Sequence, residues 1–200
     1  QGALMSWAVM MEGGVQVNAQ GRRFHDETQG YSEAAVHVLA QPGGVAWNVF
    51  DAPLLALARE FPDFREAEAA GALRRCDSVA ELAQCIGCDA AELQGTLDAM
   101  GPVAQDDGRV FARALGAPYY AVKVTGALFH TQGGLDVAPD MRVLRADGQP
   151  LPNLLAAGGA AGGVSGDAVW GYLSGNGLLS AVAGGAIAAK SAAAILQHKH

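Results

Sequence analysis

The stretch "VTGALFHTQGGL" at residues 124–135 places polar side chains between an apolar, strand-like run and a pair of glycines. His130 could bind or polarise a substrate oxygen, and Thr131 could donate a hydroxyl hydrogen bond beside it. Gly133 and Gly134 would let a ligand approach the backbone closely. A β-bulge whose histidine bonds a backbone carbonyl would give the same pattern, and this stretch alone favours that structural interpretation.

A second glycine-rich segment, "NLLAAGGAAGG" at residues 153–163, comes before a helical pattern over residues 175–197. A buried strand, a glycine loop and a helix start, in that order, are typical of ligand sites in α/β proteins. The N–H groups of a helix start carry a partial charge of about +0.5, which favours an anion or a polarised carbonyl. Tight helix–strand packing would also explain these glycines. The spacing does not match the G-x-G-x-x-G fingerprint of a first βα unit.

The elements that would position these segments predict an α/β fold in two parts. Residues 1–124 hold most of the charge and should form an α+β domain, whereas residues 125–200 hold much of the glycine. Periodicity and capping signals predict strands around a turn at 13–24, a helix at 31–41, a strand at 45–51, a helix from Pro53 to about Glu60, helices at 77–87 and 89–100, a strand at 119–137 broken at Gly126, and a hairpin at 141–151.

Composition limits the classes of partner. The net charge is −7 and the basic residues are scattered, so we expect no nucleic-acid interface. The three thiols, Cys76, Cys85 and Cys88, fit small residues in a reducing cytoplasm, and a redox or metal pair at Cys85 and Cys88 is the alternative. We therefore expect a cytoplasmic protein.

The apolar run at 178–196 is long enough to suggest a membrane span. It consists mostly of alanine and glycine and includes Lys190, which favours a helix packed inside a soluble domain. No basic region precedes an apolar core at the start of the chain, so we expect no signal peptide and no membrane span.

Four motifs occur in an order that resembles the FAD-dependent fumarate reductase/succinate dehydrogenase flavoprotein family, which includes ketosteroid dehydrogenases and tricarballylate dehydrogenase. They are "GGVQVNAQGRRFHDE" (13–27), "FHTQGGLDV" (129–137), "LPNLLAAGGAAGGVSG" (151–166) and "GYLSGNGLLSA" (171–181). Members of that family open with a Rossmann-like unit for the ADP half of FAD, and this sequence has none. The resemblance therefore implies a capping domain at 1–124, followed at 125–200 by the C-terminal portion of an FAD-binding domain.

The resemblance also implies roles for particular residues. His130 would hydrogen-bond the substrate, with Thr131, Gly133 and Gly134 near the flavin and the floor of the active site. Gly158 and Gly159 match a Gly-Glu pair that meets the FAD ribityl or ribose, although Gly159 lacks that acid. The flavin pyrimidine would meet the stretch that comprises Gly175, Asn176, Gly177, Leu178 and Leu179.

The proton-transfer residues depart from the family pattern. Leu55 stands where dicarboxylate-reducing members carry a proton-donating arginine, with Arg59 one turn later, and Tyr172 stands near the place of a substrate-clamping arginine. Glu27 could serve a proton relay, or it could belong to a solvated turn with surface ion pairs. We expect Arg59, Glu27 or Tyr172 to move the proton and the substrate to be larger or less charged than a dicarboxylate.

The resemblance implies hydride transfer between FAD and a small-molecule substrate, at a C–C bond next to a carbonyl or carboxylate. Its partner would be the N-terminal FAD-binding part of the same protein. Alone, the 200-residue piece should be inactive and should self-associate through its exposed flavin-facing surface. The alternative is a complete, non-catalytic protein-interaction module.

Overall fold

The computed structural model describes residues 3–129 and 131–197, and the chain divides into two compact units between Ala127 and Leu128. Both helices and antiparallel sheets are present, which confirms the α/β class. The division lies close to the composition boundary at residue 124. The roles of the two parts as capping domain and flavin-domain portion stay predictions.

Unit 1 is built on a four-stranded antiparallel sheet in the order β1-β2-β4-β3. Its strands are β1 Val15–Val17, β2 Val45–Asp51, β3 Leu73–Cys76 and β4 Tyr119–Thr125. The β-branched and aromatic residues of β2 and β4 suit a pleated, largely buried surface. The long β2–β4 ladder, which runs from the pair Val45 and Thr125 to the pair Asp51 and Tyr119, forms the centre of the sheet.

Six α-helices surround this sheet: α1 Ala8–Met11, α2 Tyr31–Leu39, α3 Ala52–Ala58, α4 Pro62–Ala69, α5 Val79–Ile86 and α6 Ala90–Asp98. Short 3-10 turns precede β2 at Pro42–Gly44 and α2 at Glu27–Gln29. The core contains the aromatic rings of Phe50, Phe64 and Phe111 packed with aliphatic side chains from α5 and α6.

The capping signals of α5 and α6 act as their sequences predict. The Ser78 hydroxyl accepts a hydrogen bond from the Glu81 N–H at 3.2 Å, and the Glu81 carboxylate accepts one from the Asp77 N–H at 2.8 Å. This reciprocal capping box satisfies two N–H groups near the start of α5. Gly87 ends α5 in the left-handed conformation, and the Asp89 carboxylate caps α6.

Unit 2 contains the hairpin of β5 Arg142–Leu144 and β6 Pro150–Leu155, 3-10 turns at Gly158–Ala160 and Val169–Gly171, and the long helix α7 Asn176–Gln197. Residues 131–137, which precede the hairpin, form no regular strand in the described chain but make isolated bridges at Leu135 and Val137.

Three strand predictions are wrong. The strand predicted to continue from the break at Gly126 to residue 137 is absent from the described residues of that range. Residues 22–24 do not return as a strand beside β1, because β1 pairs with β2 and the Asn18 side chain accepts from the Gln20 and Arg22 N–H groups to form a turn. Residues 153–155 lie in β6, but β6 is exposed or half-buried, because the described part of unit 2 does not cover both faces of its two-stranded sheet.

Helix α7 is, among the described residues, the one helix long and apolar enough to cross a membrane, and 6% of its apolar window is buried. It packs on β6 and on the turn at Gly158–Ala160, with Gly184 buried against Ala157. The prediction that this helix packs inside a soluble domain remains untested, since most of its apolar face is exposed in unit 2.

Removal of the α5 cap should be measurable in unit 1. We expect Ser78→Ala to lower the free energy of unfolding by about 1 kcal/mol, because the Glu81 N–H loses its acceptor. Ser78→Asp should retain most of the stability, since a carboxylate also caps a helix start. Urea unfolding followed by circular dichroism checks this, and equal losses in both variants would contradict the capping argument.

Candidate functional site

The glycine-rich segments of unit 2 form one continuous backbone assembly. The Leu135 N–H donates to the Ala160 carbonyl at 2.9 Å, and the Gly162 N–H donates to the Leu135 carbonyl at 3.0 Å. The Gly163 N–H donates to the Gln132 carbonyl at 2.8 Å. The segment 131–137 therefore lies alongside the 158–163 loop, joined by main-chain hydrogen bonds.

Two of these glycines are required by the packing of this assembly. A Cβ on Gly134 would overlap the Ala161 carbonyl group and lie 2.7 Å from the Gly162 nitrogen. Gly158 has φ of +58° and lies against Ala181 of α7, where a Cβ would be 3.0 Å from the alanine Cβ. A side chain at either position would push the strand-like segment or the helix away from the loop.

Other glycines face open space. No described protein atom lies within 4 Å of a Cβ built on Gly133, Gly159, Gly175 or Gly177. A ligand could therefore approach the backbone on the Cα side of these four residues. Tight packing explains some of the glycines, and open space for a ligand fits others.

The start of α7 lies in the same assembly. The Asn176 side chain donates to the Ser165 hydroxyl at 2.8 Å, and the Leu179 N–H donates to the Gly175 carbonyl at 2.9 Å. The N–H groups of Gly177 and Leu178 belong to the first turn, where intrahelical acceptors are missing. The first turn contains no acidic residue, and residues 146–189 contain no lysine or arginine but include Asp147 and Asp167. The partial positive charge of the helix start can therefore act on a bound carbonyl or anion without an acidic neighbour in its own turn.

The predicted cofactor-binding residues are thus brought together in unit 2, from the loop at 133–134 through the turn at 158–159 to the first turn of α7 at 175–179. His130 lies outside the described residues. Thr131 is exposed, and Tyr172 is half-buried beside Trp170, whose side chain is 79% exposed.

Glu27 lies in unit 1 and is fully buried, so the interpretation as a solvated turn with surface ion pairs is wrong. Its carboxylate accepts hydrogen bonds from the Gln16 N–H at 2.8 Å, from the Arg23 guanidinium at 2.6 Å, and from Arg109. Burial would lower the pKa of Arg23, but the hydrogen bonds and charges of Glu27 and Asp107 raise it above its usual value.

Arg109 is the residue of this network that sequence reasoning missed. It is buried, donates to the Met10 carbonyl at 2.6 Å and the Gly14 carbonyl at 3.0 Å, and lies over the Phe111 ring. It belongs to the irregular segment 103–117, where no periodicity marks a buried residue. The segment holds two arginines, Arg109 and Arg113, and no pattern in it distinguishes the buried one.

Arg59, by contrast, is exposed on unit 1 and pairs with Glu68, whose oxygen lies 2.6 Å from the guanidinium. A second buried carboxylate, that of Asp51, accepts from Arg113 and from the Gly116 N–H. Burial would raise the pKa of Asp51, but its hydrogen bonds from Arg113 and Gly116 hold the pKa below its usual value.

The three cysteines are free thiols, with Cys76 buried in β3. Burial raises the pKa of Cys76 to about 11. Among the described residues, no group of three or more His, Cys, Asp or Glu side chains could hold a metal ion.

Residues 1–178 match the family described as "FAD binding domain". The chain belongs to this FAD-binding domain family. The match covers both units up to the first turn of α7 and confirms the flavoprotein resemblance that the sequence motifs predict. It also confirms FAD as the cofactor.

Relatives extend this family assignment. A probable fumarate reductase of Shewanella frigidimarina is 36% identical over 197 residues, which cover 95% of this chain and 32% of that protein. The open conformation of a flavocytochrome c3 fumarate reductase has a TM-score of 0.72 at 33% identity, over 96% of this chain and 34% of that one. A 3-ketosteroid Δ1-dehydrogenase from Sterolibacterium denitrificans has a TM-score of 0.67 at 28% identity, over 91% of this chain and 39% of that one. This FAD-binding domain chain therefore spans about a third of the length of these relatives.

The residues of this FAD-binding domain fit the cofactor in chemistry. The open backbone at Gly133, Gly159 and Gly175 admits close approach, and the first-turn N–H groups of α7 can donate to a carbonyl or an anionic nitrogen. The absence of acidic residues from that turn leaves the positive end of the helix uncompensated. These are the residues that would hold part of the flavin.

The two kinds of glycine allow a matched test of FAD binding in the full-length protein. We expect Gly134→Ala to lower the thermal midpoint, because the new methyl group overlaps the Ala161 backbone. Gly159→Ala should leave the thermal midpoint unchanged, because its methyl group meets no described protein atom. It should lower the FAD-to-protein ratio, because the methyl group would occupy the space through which the cofactor approaches the backbone. Unchanged FAD content in Gly159→Ala would contradict a cofactor contact there.

The buried carboxylate of Glu27 should dominate the stability of unit 1. We expect Glu27→Gln to cost about 3–5 kcal/mol, because it leaves the buried Arg109 charge uncompensated. The control Glu92→Gln breaks the exposed Arg22–Glu92 pair and should cost under about 1 kcal/mol. Urea unfolding of both variants measures the difference, and similar losses would refute the structural role of Glu27.

Proposed function

We propose that this chain is part of an FAD-dependent oxidoreductase that transfers hydride between flavin and a substrate C–C bond next to a carbonyl or carboxylate. The observation that carries the proposal is the assembly of open glycine backbone and the uncompensated helix start in unit 2. Relatives named as fumarate reductases and ketosteroid dehydrogenases support this reaction class. The chain would contribute the capping domain and the C-terminal portion of the FAD domain.

The helix start would have an electrostatic role. When bound, FAD supplies the hydride chemistry. The N–H groups of Gly177 and Leu178 would face negative charge that develops at the flavin pyrimidine, and their partial positive charge would stabilise it. The Asn176 side chain, bonded to Ser165, would fix the backbone of that turn in place.

Substrate binding would fall to the segment around residue 130. In this proposal His130 binds or polarises the substrate carbonyl or carboxylate, and Thr131, which is exposed, donates a second hydrogen bond. Of the three predicted proton-transfer residues, Glu27 is fully occupied by Arg23, Arg109 and Gln16 inside unit 1. We therefore assign proton movement to Tyr172 or Arg59.

The substrate we propose is larger or less charged than a dicarboxylate. Residues 146–189 offer no lysine or arginine to clamp a second carboxylate, and Leu55 is a buried aliphatic residue. The exposed indole of Trp170 offers an apolar, planar contact instead. These features favour an enone or a monocarboxylate with an apolar body.

The partner we propose is the N-terminal FAD-binding part of the same protein, in the cytoplasm. It would cover exposed apolar side chains of α7, which include Leu178, Leu179 and Val182. The same exposed surface favours the second candidate function, a non-catalytic interaction module. It would also drive self-association of the isolated 200-residue piece. We expect that isolated piece to be inactive.

Spectroscopy and a substrate panel on the full-length protein test the proposal. We expect the absorbance of bound oxidised flavin at about 450 nm. We also expect oxidation or reduction of steroid-like or other enone substrates. Activity confined to fumarate or succinate would overturn the substrate proposal, and protein purified without flavin would favour the interaction module.

The matched variant is His130→Gln in the same full-length protein. It should retain FAD and lower kcat/KM by about 10²–10⁴, the range for loss of a positioned acid–base or polarising group. An unchanged kcat/KM would remove His130 from the site.

A further inference from the structure

Two histidine rings stack inside unit 1. His25 lies just before the 3-10 turn at Glu27–Gln29, and His37 lies on α2. Their ring centroids are 5.0 Å apart with an interplanar angle of 20°. His25 is buried and His37 is half-buried, so this contact joins the polar interior of unit 1 to one face of α2.

The hydrogen bonds of His25 leave room for one further proton. Its Nε2 lies 2.7 Å from the Gln16 side-chain oxygen, and its Nδ1 lies 3.2 Å from the Asp26 carbonyl oxygen. The Gln16 amide is oriented by its own donation to the Asn48 oxygen at 2.8 Å. A neutral imidazole has a single N–H and can satisfy one of these two acceptors, whereas an imidazolium can satisfy both.

The surroundings oppose that second proton at neutral pH. Burial lowers the pKa of His25, and the charges of His37 and Arg23 lower it further, whereas Glu27 and the Asp26 carbonyl act in the opposite direction. Asp106 and Asp107 line the same surface cleft of about 350 Å³ that borders His25, which gives solvent protons access. On the side of α2, Glu33 lies one turn before His37.

Few residues of helix α2 are buried in unit 1. Of its nine residues, all of them described, Ala34 and Val38 are buried. The Gln41 side chain donates to the His37 carbonyl at 3.1 Å and accepts from the Asn18 side chain at 3.1 Å, which links the end of α2 to the turn after β1. A change at the His25–His37 contact therefore acts on a helix with few other buried anchors.

We propose that the stacked pair of His25 and His37 makes the docking of α2 in unit 1 depend on pH, with α2 docked above about pH 7 and docked less firmly as His25 gains its second proton at lower pH. Two imidazolium rings at this separation repel each other. His25 is held by its two acceptors, so the ring that moves is that of His37, together with α2.

The sign of the effect follows from linkage. A buried histidine whose pKa is lowered in the docked state binds fewer protons than it does in the released state. Docking is therefore fully favoured above the ordinary histidine pKa of about 6.5 and weakens as pH falls below it.

Hydrogen exchange of the full-length, FAD-loaded protein tests the proposal. After correction for the chemical exchange rate, we expect amides in residues 31–41 to exchange about tenfold faster at pH 5.5 than at pH 7.5, because the docked state binds fewer protons than the released state. Amides of α6, at residues 90–98, should keep the same protection at both values. No acceleration in α2, or equal acceleration in α2 and α6, would overturn the proposal.

The matched variant is His37→Phe, which keeps a stacked ring that cannot take a proton. Its α2 protection should match the wild type at pH 7.5 and should fall less than that of the wild type at pH 5.5, because the repulsion between two charged rings is removed while His25 stays buried. Persistence of the wild-type acceleration in this variant would also overturn the proposal. If the phenylalanine variant does not dock α2 at pH 7.5, His37→Gln takes its place, and the wild-type comparison of α2 with α6 decides independently of both.

Discussion

The buried carboxylate of Glu27 organises unit 1. It accepts hydrogen bonds from Arg23, Arg109 and the backbone of Gln16, and Arg109 in turn donates to carbonyl groups within and just after α1. A buried charge is tolerated because two guanidinium groups and a backbone N–H compensate it. The network holds the irregular segment 103–117 against the first strand of the sheet. That segment has no helix or strand of its own, so these side-chain contacts replace regular backbone hydrogen bonds.

Unit 2 is held together in a different way, because close packing of its backbone segments requires glycine at certain positions. Gly134 and Gly158 allow main-chain segments and α7 to approach each other, and hydrogen bonds between backbone groups join the loop at 158–163 to residues 131–137. The binding groups of such an assembly are N–H and C=O groups at fixed positions. They suit a large, flat cofactor with several acceptors, which agrees with membership of the FAD-binding domain family.

Much of this organisation could be predicted from the sequence. Capping residues and periodicity predict α2, α5, α6, α7 and β2, and ordered motifs predict the family and FAD. Local patterns could not identify the arginine that pairs with Glu27, because Arg109 is distant in sequence and lies in a segment without periodicity. The predictions of a strand at 22–24 and of a buried β6 were wrong for a related reason. Which strands pair, and which faces are covered, depends on tertiary contacts that a local pattern does not contain. The roles of His130, Thr131 and Tyr172 stay predictions.

The order β1-β2-β4-β3 has a consequence for how unit 1 acquires its structure. The central ladder joins β2 to β4, while α3 to α6 and β3 all lie between these strands in the chain. Closing so long a loop is slow compared with forming local helices, so the helices between the strands can form before the sheet does. Until β4 has been synthesised, one edge of β2 has no partner strand. A chain interrupted anywhere between Ala52 and Pro118 would therefore leave the middle of the sheet open to pairing with other molecules.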